Sequence, residues 1–414
     1  MPISIFALMF TCFVDVMGQG LAFPIFAALL MKPNGGFFEE VSSPSQGALL
    51  YGIAIGTFFL TWFFGSLYIS RLSDSIGRKS GILICLFGAI AGYAIATVSI
   101  ISHNYTLLVL SRAITGFTAG AQPIAAAAMI DLAENERESA RNLGLATVGM
   151  SFGLVIGPIV GGLFSDKNLL GNFASLQLPF VIGGLMCLAG LLLIFFGFKD
   201  TKTDAIPLDT NPYLLFKLLT DAFNRLSVRR VAIAYFPYML CVLGLYVFVS
   251  ANLSTRFGYG AIGSSIAMFL MGIGLAASSS TLVEPLNVRF SKRMIMFSCM
   301  VLFCIFIAIF LLISSGPLAL AIMLPVGILH GIGYPTVLTG FSESVGKDEQ
   351  GWVMGFATSL FTIAAAIVSF FGGQLIASVG PQAPFFFAIA CGGVGIIAVL
   401  TQWKDVPTLS KIMS

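Results

Sequence analysis

Charged side chains are scarce in this sequence. Asp, Glu, Lys and Arg make up 9% of its 414 residues, whereas soluble proteins carry roughly 25%. Hydrophobic residues make up 57%, and apolar runs long enough for a membrane helix recur along the chain. This composition argues against a soluble domain and predicts an all-α membrane protein. The first run lacks a basic leader and contains Asp15, so we expect it to be retained as a helix.

Several kinds of functional site are also missing from the sequence. The seven cysteines lie in apolar segments without a CxxC pair, which argues against a disulfide framework and a zinc site. The sequence has no Walker loop, so we do not expect ATP to drive the protein directly. It also has no catalytic Ser/His/Asp or metal-binding pattern and no basic aromatic stretch. We therefore expect no enzyme activity, no cofactor, no metal and no nucleic-acid partner.

Twelve apolar segments have the length of a membrane helix. A polar segment divides them into six and six, which predicts two bundles at 1–198 and 229–414 with a linker at 199–228. The predicted spans are 3–31, 47–70, 80–100, 105–131, 141–165, 177–198, 229–254, 261–286, 293–314, 317–341, 351–377 and 382–403.

The distribution of Lys and Arg predicts how these spans are oriented in the membrane. Seventeen of the 21 basic residues fall on one side, which we call the basic face, and Arg112 lies within a span. The other side receives only Lys32, Lys167 and Arg256. The positive-inside rule therefore places the basic face, both termini and the linker in the cytoplasm. The expected location is the bacterial inner membrane.

The two halves of the chain resemble each other at a nearly constant offset. Five residues of the fifth span, Gly144, Ala146, Thr147, Gly161 and Gly162, match residues 211 positions later, and Pro123 matches Pro335. Parallel repeats of this kind place a substrate path between the halves, near the bilayer midplane. The first, fourth, seventh and tenth spans would then supply the pocket. Its polar candidates are Gln19, Gln122, Tyr235, Tyr238, Tyr246, Asn252 and Tyr334.

A stripe of glycines marks the fifth span. The segment GMSFGLVIGPIVGG contains Gly149, Gly153, Gly157, Pro158, Gly161 and Gly162. Small residues four positions apart share one helix face and let a neighbouring helix approach closely. The proline removes a backbone donor and loosens the helix. Such a helix suits a protein that moves within the bilayer, and static packing is the alternative interpretation.

The segment SRLSDSIGRKSG, predicted as the loop after the second span, contains a D-x-x-G-R-K motif. The motif consists of Asp74, Gly77, Arg78 and Lys79. Gly77 permits a tight reversal, and Asp74 can accept hydrogen bonds from helix-terminal N–H groups or pair with a cation. Asp131, at the end of the fourth span, is a predicted salt-bridge partner of Arg71 or Arg78. The alternative interpretation of this motif is a plain positively charged loop.

Asp15 and Arg112 are the clearest charges inside predicted spans, and they lie at nearly the same depth. A charge at mid-membrane costs roughly 2.5–3.5 kcal/mol on insertion scales, so such residues are usually functional. We hypothesise that the two pair in one state, and that protonation of Asp15 or substrate binding breaks the pair. A purely structural ion pair is the alternative. His330, near the middle of the tenth span, either handles protons as well or packs as a hydrogen-bonded histidine.

These motifs resemble those of the major facilitator superfamily. D-x-x-G-R-K is similar to its signature loop, although Ser70 stands where the family has a leading glycine. GLVIGPIVGG and the R-x-x-x-G-x-x-x-G pattern from Arg112 to Gly120 resemble the twelve-helix drug:proton antiporters, the group that includes the tetracycline exporters. The segment FVDVMGQGLAFP resembles the first helix of that group. The acidic residues that tetracycline exporters carry in the third and ninth helices are absent from FGAIAGYAIA and CMVLFCIFIA, which argues against tetracycline as the substrate.

The resemblance implies two pseudo-symmetric six-helix bundles that give alternating access to a central site, with the D-x-x-G-R-K loop as a latch. It also implies antiport, through the motif Gly153, Gly157, Pro158, Gly161 and Gly162. The expected function is proton-coupled export of a small organic molecule such as a drug or metabolite. Two alternatives are a proton symporter that imports a nutrient, metabolite or siderophore, and a channel or receptor without coupled flux. The expected partners are a small-molecule substrate, protons and the lipid bilayer, and we expect a monomer.

Overall fold

The structure is a computed structural model that describes residues 2–31, 38, 43–200, 220–346 and 349–403. Helices dominate these residues, and no β-strand occurs among them. In a bilayer the backbone N–H and C=O groups need partners within the protein, and a helix supplies them locally. The apolar sequence therefore folds into long helices. Of the predicted linker at 199–228, residues 201–219 lie outside the described part.

Sixteen α-helices are bounded within the described residues. Those of the first half are α1 (Ile3–Leu30), α2 (Pro44–Ile76), α3 (Arg78–Ile101), α4 (Tyr105–Phe117), α5 (Ala121–Asp131), α6 (Glu136–Leu163), α7 (Lys167–Leu170) and α8 (Leu178–Gly197). Those of the second half are α9 (Leu226–Phe257), α10 (Ala261–Thr281), α11 (Val283–Arg289), α12 (Lys292–Leu312), α13 (Gly316–Ala321), α14 (Met323–Glu343), α15 (Gln350–Ser378) and α16 (Ala383–Gln402).

Twelve helical segments of the described chain are long and apolar enough to cross a membrane, which confirms the predicted number. The fourth segment combines α4 with α5, and the tenth combines α13 with α14. The predicted loop between the second and third spans is the main difference, because α2 continues through Asp74 to Ile76. Residues 66–76 contain no glycine or proline that would end the helix before Gly77. The turn is thus confined to Gly77, whose φ of 98° is favourable only for glycine.

The chain divides into two compact units. The first unit consists of Met1–Asn211, Val247–Phe269 and Ala366–Pro381, and within it α1 packs along α6. The second unit consists of Pro212–Tyr246, Leu270–Ala365 and Gln382–Ser414, and within it α12 packs against α14 and α16. The boundaries of the two six-helix bundles, at 1–198 and 229–414, stay a prediction.

Glycines matched by the internal repeat have matched surroundings. A Cβ atom added to Gly162 on α6 would collide with the start of α10, and one added to Gly373 on α15 would collide with the start of α2. The internal repeat relates α6 to α15 and α10 to α2, so the two contacts are equivalent. Gly144 and Gly355, which are also matched, both have no described atom within 4 Å of an added Cβ. The offset seen in the sequence therefore corresponds to equivalent packing positions.

Candidate functional site

The fourth membrane segment is interrupted, although the sequence predicted one span over 105–131. Helix α4 ends at Phe117, α5 begins at Ala121, and a tight turn with a hydrogen bond from Gly120 N to Thr118 O (2.9 Å) joins them. Glycine, which occupies position 120, is a poor helix former, and Pro123 in the first turn of α5 has no N–H to donate. The break leaves the first backbone N–H groups of α5 without partners in their own helix. A buried helix start of this kind needs an acceptor from elsewhere.

Asp15 of α1 supplies that acceptor. The backbone N–H of Gln122 donates to Oδ2 of Asp15 at 3.1 Å, whereas the N-cap residue Gly120 has no side chain with which to cap α5. A carboxylate at a helix N-terminus interacts favourably with the helix dipole and with the free N–H groups. The Asp15 carboxylate therefore lies at the N-terminal end of α5, the second half of the fourth membrane segment.

Arg112 of α4 is buried, with 3% of its surface exposed, and forms no ion pair with Asp15 in the described structure. Its Nε has no hydrogen-bond partner, and no described residue accepts a hydrogen bond from its guanidinium. Its Cζ instead lies 4.3 Å from the ring centroid of Phe58 and 5.4 Å from that of Phe26. These cation–π contacts compensate the buried charge only in part. Pairing of Arg112 with Asp15 in another state stays a hypothesis.

A cavity of about 20 Å³ lies between α1, α3 and α4. This volume holds about one water molecule. Asp15 and Arg112 both line it, so the structure brings the two predicted residues to one place. Other lining residues with polar atoms are Gln19, Cys85, Tyr93, Thr115, Thr118 and Cys187. Of these, only Gln19 was predicted, and the repeat gave no reason to choose Cys85 and Tyr93 of the third span. Tyr93 is nevertheless the one tyrosine of that apolar span.

A second group of predicted residues lies together in the second unit. The hydroxyl of Tyr238 and Nδ1 of His330 are 3.0 Å apart, and the rings of His330 and Tyr334 have centroids 5.5 Å apart. Tyr235 packs edge-on against Phe341, and its hydroxyl is buried. With 0% and 1% of their surface exposed, Tyr235 and Tyr238 are packed between helices. His330 is thus a hydrogen-bonded histidine in this state.

The remaining predicted pocket residues are Asn252, Tyr246 and Gln122. Asn252 belongs to the first unit, where its Nδ2 donates to Pro381 O at 3.2 Å. Tyr246 is half-buried on α9. Gln122 contributes its backbone to the Asp15 site, since its N–H donates to Asp15 and its carbonyl accepts from the Cys12 thiol at 3.8 Å.

The glycine stripe of α6 faces the helix that carries Asp15. A Cβ atom added to any of four of its glycines would collide with a backbone carbonyl of α1, and these carbonyls are also four residues apart. The pairs are Gly149 with Met9, Gly153 with Phe13, Gly157 with Met17, and Gly161 with Leu21. Pro158 in turn packs against Gly20 of α1. The two backbones are therefore in direct contact on either side of Asp15.

The D-x-x-G-R-K motif is held together by Arg78. The guanidinium of Arg78 pairs with Asp74 at 2.8 Å and with Asp131 at 3.3 Å. It also donates to the hydroxyl of Ser73 at 3.2 Å. Of the two predicted partners of Asp131, the structure pairs Arg78 with it. The motif therefore joins the ends of α2, α3 and α5 at the basic face.

Asp200, which follows α8, is a member of this network that the sequence did not reveal. Its carboxylate accepts hydrogen bonds from the backbone N–H groups of Arg78 (3.0 Å) and Lys79 (3.3 Å). The N-cap residue of α3, Gly77, has no side chain for this task. The ammonium of Lys79 donates to Phe195 O at 2.8 Å, which adds a second link between α3 and α8. Asp200 therefore serves as the N-cap of α3 from a distant part of the chain.

Replacement of Asp200 with Ala is expected to lower the free energy of unfolding by about 1 kcal/mol, because the start of α3 loses its capping acceptor. Asn at this position retains an acceptor oxygen, so Asp200→Asn should keep most of the stability. Thermal unfolding of the purified variants in detergent measures both. An Asp200→Ala protein as stable as the wild type would contradict the capping role.

Comparison with known proteins agrees with this architecture. The sequence matches the model of the Major Facilitator Superfamily over residues 8–369 and 279–412. The tetracycline resistance protein, class C, of Escherichia coli is 26% identical over 361 residues, which are 86% of this chain and 85% of that protein. The quinolone resistance protein NorA of Staphylococcus aureus is 23% identical over 409 residues, which are 96% of each chain.

A similar fold occurs in a solved structure of a D-xylose-proton symporter. It is 16% identical, with a TM-score of 0.68 over 98% of this chain and 96% of that one. Since the family model matches most of its length, the chain belongs to the Major Facilitator Superfamily of membrane transporters.

Proposed function

We propose that this transporter is a proton-coupled antiporter that exports small organic molecules by alternating access. The observation that carries the proposal is the position of the Asp15 carboxylate. It lies in an apolar membrane helix, accepts a hydrogen bond from the first turn of α5 and shares a cavity with Arg112. A titratable group held by a helix end, next to a cation whose side chain has no hydrogen bond to the described residues, can couple proton binding to a change in packing.

Protonation of Asp15 would change this site in two ways. A neutral carboxyl group loses most of its attraction to the helix dipole, which is worth up to about 2 kcal/mol in partly buried settings. It also leaves Arg112 as the one formal charge among the residues that line the cavity. Both changes favour a different position of α4 and α5 relative to α1. A proton can shift the equilibrium between two states only through such differences in interaction.

Contacts remote from the basic face support alternating access. The hydroxyl of Tyr51 on α2 donates to Val247 O on α9 at 2.7 Å. Gly52 of α2 and Gly373 of α15 bring two backbones into contact nearby. These contacts close the first unit at this end, and access from that side requires them to separate. Backbone contacts between glycines can separate without the repacking of large side chains.

The relatives and the α6 motif support export as the direction of transport and a drug-like compound as the substrate. Two relatives are named for resistance to tetracycline and to quinolones. The glycine–proline stripe of α6 resembles the antiporter motif and packs on the helix with Asp15. The aromatic cluster of Tyr238, His330 and Tyr334 suits a bulky, lipophilic or cationic compound once helix movement exposes it. Export of such compounds is therefore the direction we propose.

The remaining parts of the proposal concern placement. We propose that the protein is a monomer in a bacterial inner membrane, with the basic face and both termini in the cytoplasm. The uneven distribution of Lys and Arg between the two sides supports this orientation. The six-helix bundles at 1–198 and 229–414 would move against each other, and the network around Arg78 would hold the basic face of the first bundle together.

Reconstitution in liposomes that contain a pH-sensitive dye tests the coupling. When a transported compound is added outside, an antiporter should release protons from the lumen, so the dye should report alkalinisation. The panel would contain quinolones and lipophilic cations, with sugars and amino acids in parallel. Acidification by any member would establish a symporter instead. Movement of a radiolabelled compound without a change in pH would establish uncoupled flux and overturn the proposal.

A further inference from the structure

The guanidinium group of Arg112 is rich in hydrogen-bond donors. A guanidinium group has five N–H donors in a fixed planar arrangement and cannot give up its charge in a protein. No described residue accepts a hydrogen bond from these donors, and the buried Nε is without any partner. A buried charge without hydrogen bonds is costly, so native structures seldom leave one unsatisfied. The side chain is thus prepared for an acceptor that the described part of the chain does not provide.

We propose that the cavity beside Arg112 is a binding site for a compact monovalent anion, which occupies it when Asp15 is neutral. The anion is either a free halide or the carboxylate group of an organic acid. With a volume of about 20 Å³, the cavity admits one group of the size of a water molecule. Larger polyhydroxylated anions such as gluconate do not fit. This inference does not depend on the direction of transport or on the exported compound.

The walls of the cavity suit an anion once Asp15 carries a proton. Phe58 covers one side of the Arg112 guanidinium and leaves its edge for hydrogen bonds. The hydroxyl of Tyr93 and the amide of Gln19 are further possible donors among the lining residues. The titratable groups that face Arg112 here are Asp15 on α1, Cys85 and Tyr93 on α3, and Cys187 on α8.

Asp15 decides when the site is available. Among these groups it is the one that is negative at neutral pH in its ordinary state, and a second anion beside it would be repelled. Proton binding removes this repulsion, so the proton and the anion should each strengthen the binding of the other by the same factor. An antiporter whose substrate competes with the proton for Asp15 would show the opposite relation for that substrate.

The Asp15→Asn variant tests the proposal, because Asn reproduces a neutral side chain of the same size. The purified variant is first placed in gluconate buffer, and chloride or formate then replaces gluconate at constant ionic strength. We expect at least one of the two anions to raise Tm by about 2 °C or more, since a ligand of the folded state stabilises it by mass action. Stabilisation by chloride would identify a halide site, and stabilisation by formate alone would identify a carboxylate site.

Two further variants separate a specific site from a general salt effect. In the Asp15→Asn background, Arg112→Gln should abolish the shift in Tm, whereas Arg256→Gln, which removes a cation outside the cavity, should retain it. The wild type offers a second measurement, in which the anion-induced shift should grow as the pH is lowered. Equal Tm values in chloride, formate and gluconate would overturn the proposal. A shift that persists after Arg112→Gln would overturn it as well.

Discussion

Replacement of Asp15 with Asn is expected to reduce proton-driven transport by about 100-fold or more, the scale on which a lost proton-transfer group affects a reaction. The side chain keeps its size and an oxygen that can accept the hydrogen bond from Gln122 N–H, so the half-helix α5 keeps its cap. It can no longer bind and release a proton. The loss should therefore appear in transport and not in the amount of folded protein.

Transport in everted membrane vesicles, with the pH gradient set by the respiratory chain, measures this effect. Asp166→Asn is the matched control, because Asp166 is also an aspartate that caps a helix, with 2.7 Å between its Oδ1 and Asn168 N. It lies outside the cavity, so its replacement should leave transport unchanged. Full activity of the Asp15→Asn protein would show that the proton is carried elsewhere. The aromatic cluster around His330 would then be the next site to examine.

Replacement of Gly153 or Gly157 with Ala is expected to destabilise the protein by about 1–3 kcal/mol, the usual cost of an overpacked interior. At both positions the added methyl group would collide with backbone atoms of α1, which cannot move aside as a flexible side chain can. Helix α1 would have to move away from α6 along the stretch that carries Asp15. Transport should fall together with stability, since the Asp15 site depends on the position of α1.

Gly144→Ala provides the control on the same helix. No described atom lies within 4 Å of a Cβ added there. Alanine favours the helix over glycine by about 1 kcal/mol, so this variant should be as stable as the wild type or more stable. Thermal unfolding in detergent compares the three proteins. If Gly144→Ala and Gly153→Ala changed Tm equally, close contact between α1 and α6 would not explain the glycine stripe.

Much of the fold could be predicted from the sequence because the bilayer restricts the backbone so strongly. A long apolar segment in lipid has to be helical, and the number of such segments gives the number of spans. The glycines at 149, 153, 157 and 161 likewise predicted a close helix neighbour, since their spacing places them on one face. Their spacing did not identify α1 as that neighbour, because any adjacent helix could have used the same stripe.

The candidate site was only partly predictable. Asp15 and Arg112 stood out because charges are rare in such a sequence, and their depth placed them together. The break between α4 and α5 could not be foreseen, since glycine and proline also occur in continuous membrane helices. It depends on a hydrogen bond to Asp15, 107 positions away in the sequence. The capping of α3 by Asp200 was missed for the same reason.

The sequence by itself determined the number of apolar segments long enough for membrane helices, the uneven distribution of Lys and Arg, the internal repeat and the two isolated charges Asp15 and Arg112. These properties depend on composition and on spacing along the chain, which any reader of the sequence can count. Only the tertiary structure decided that the Asp15 carboxylate binds the start of α5 instead of Arg112, and that Arg112 lines a small cavity. The partner of a buried charge is set by distances between helices that are far apart in sequence, and packing alone fixes those distances.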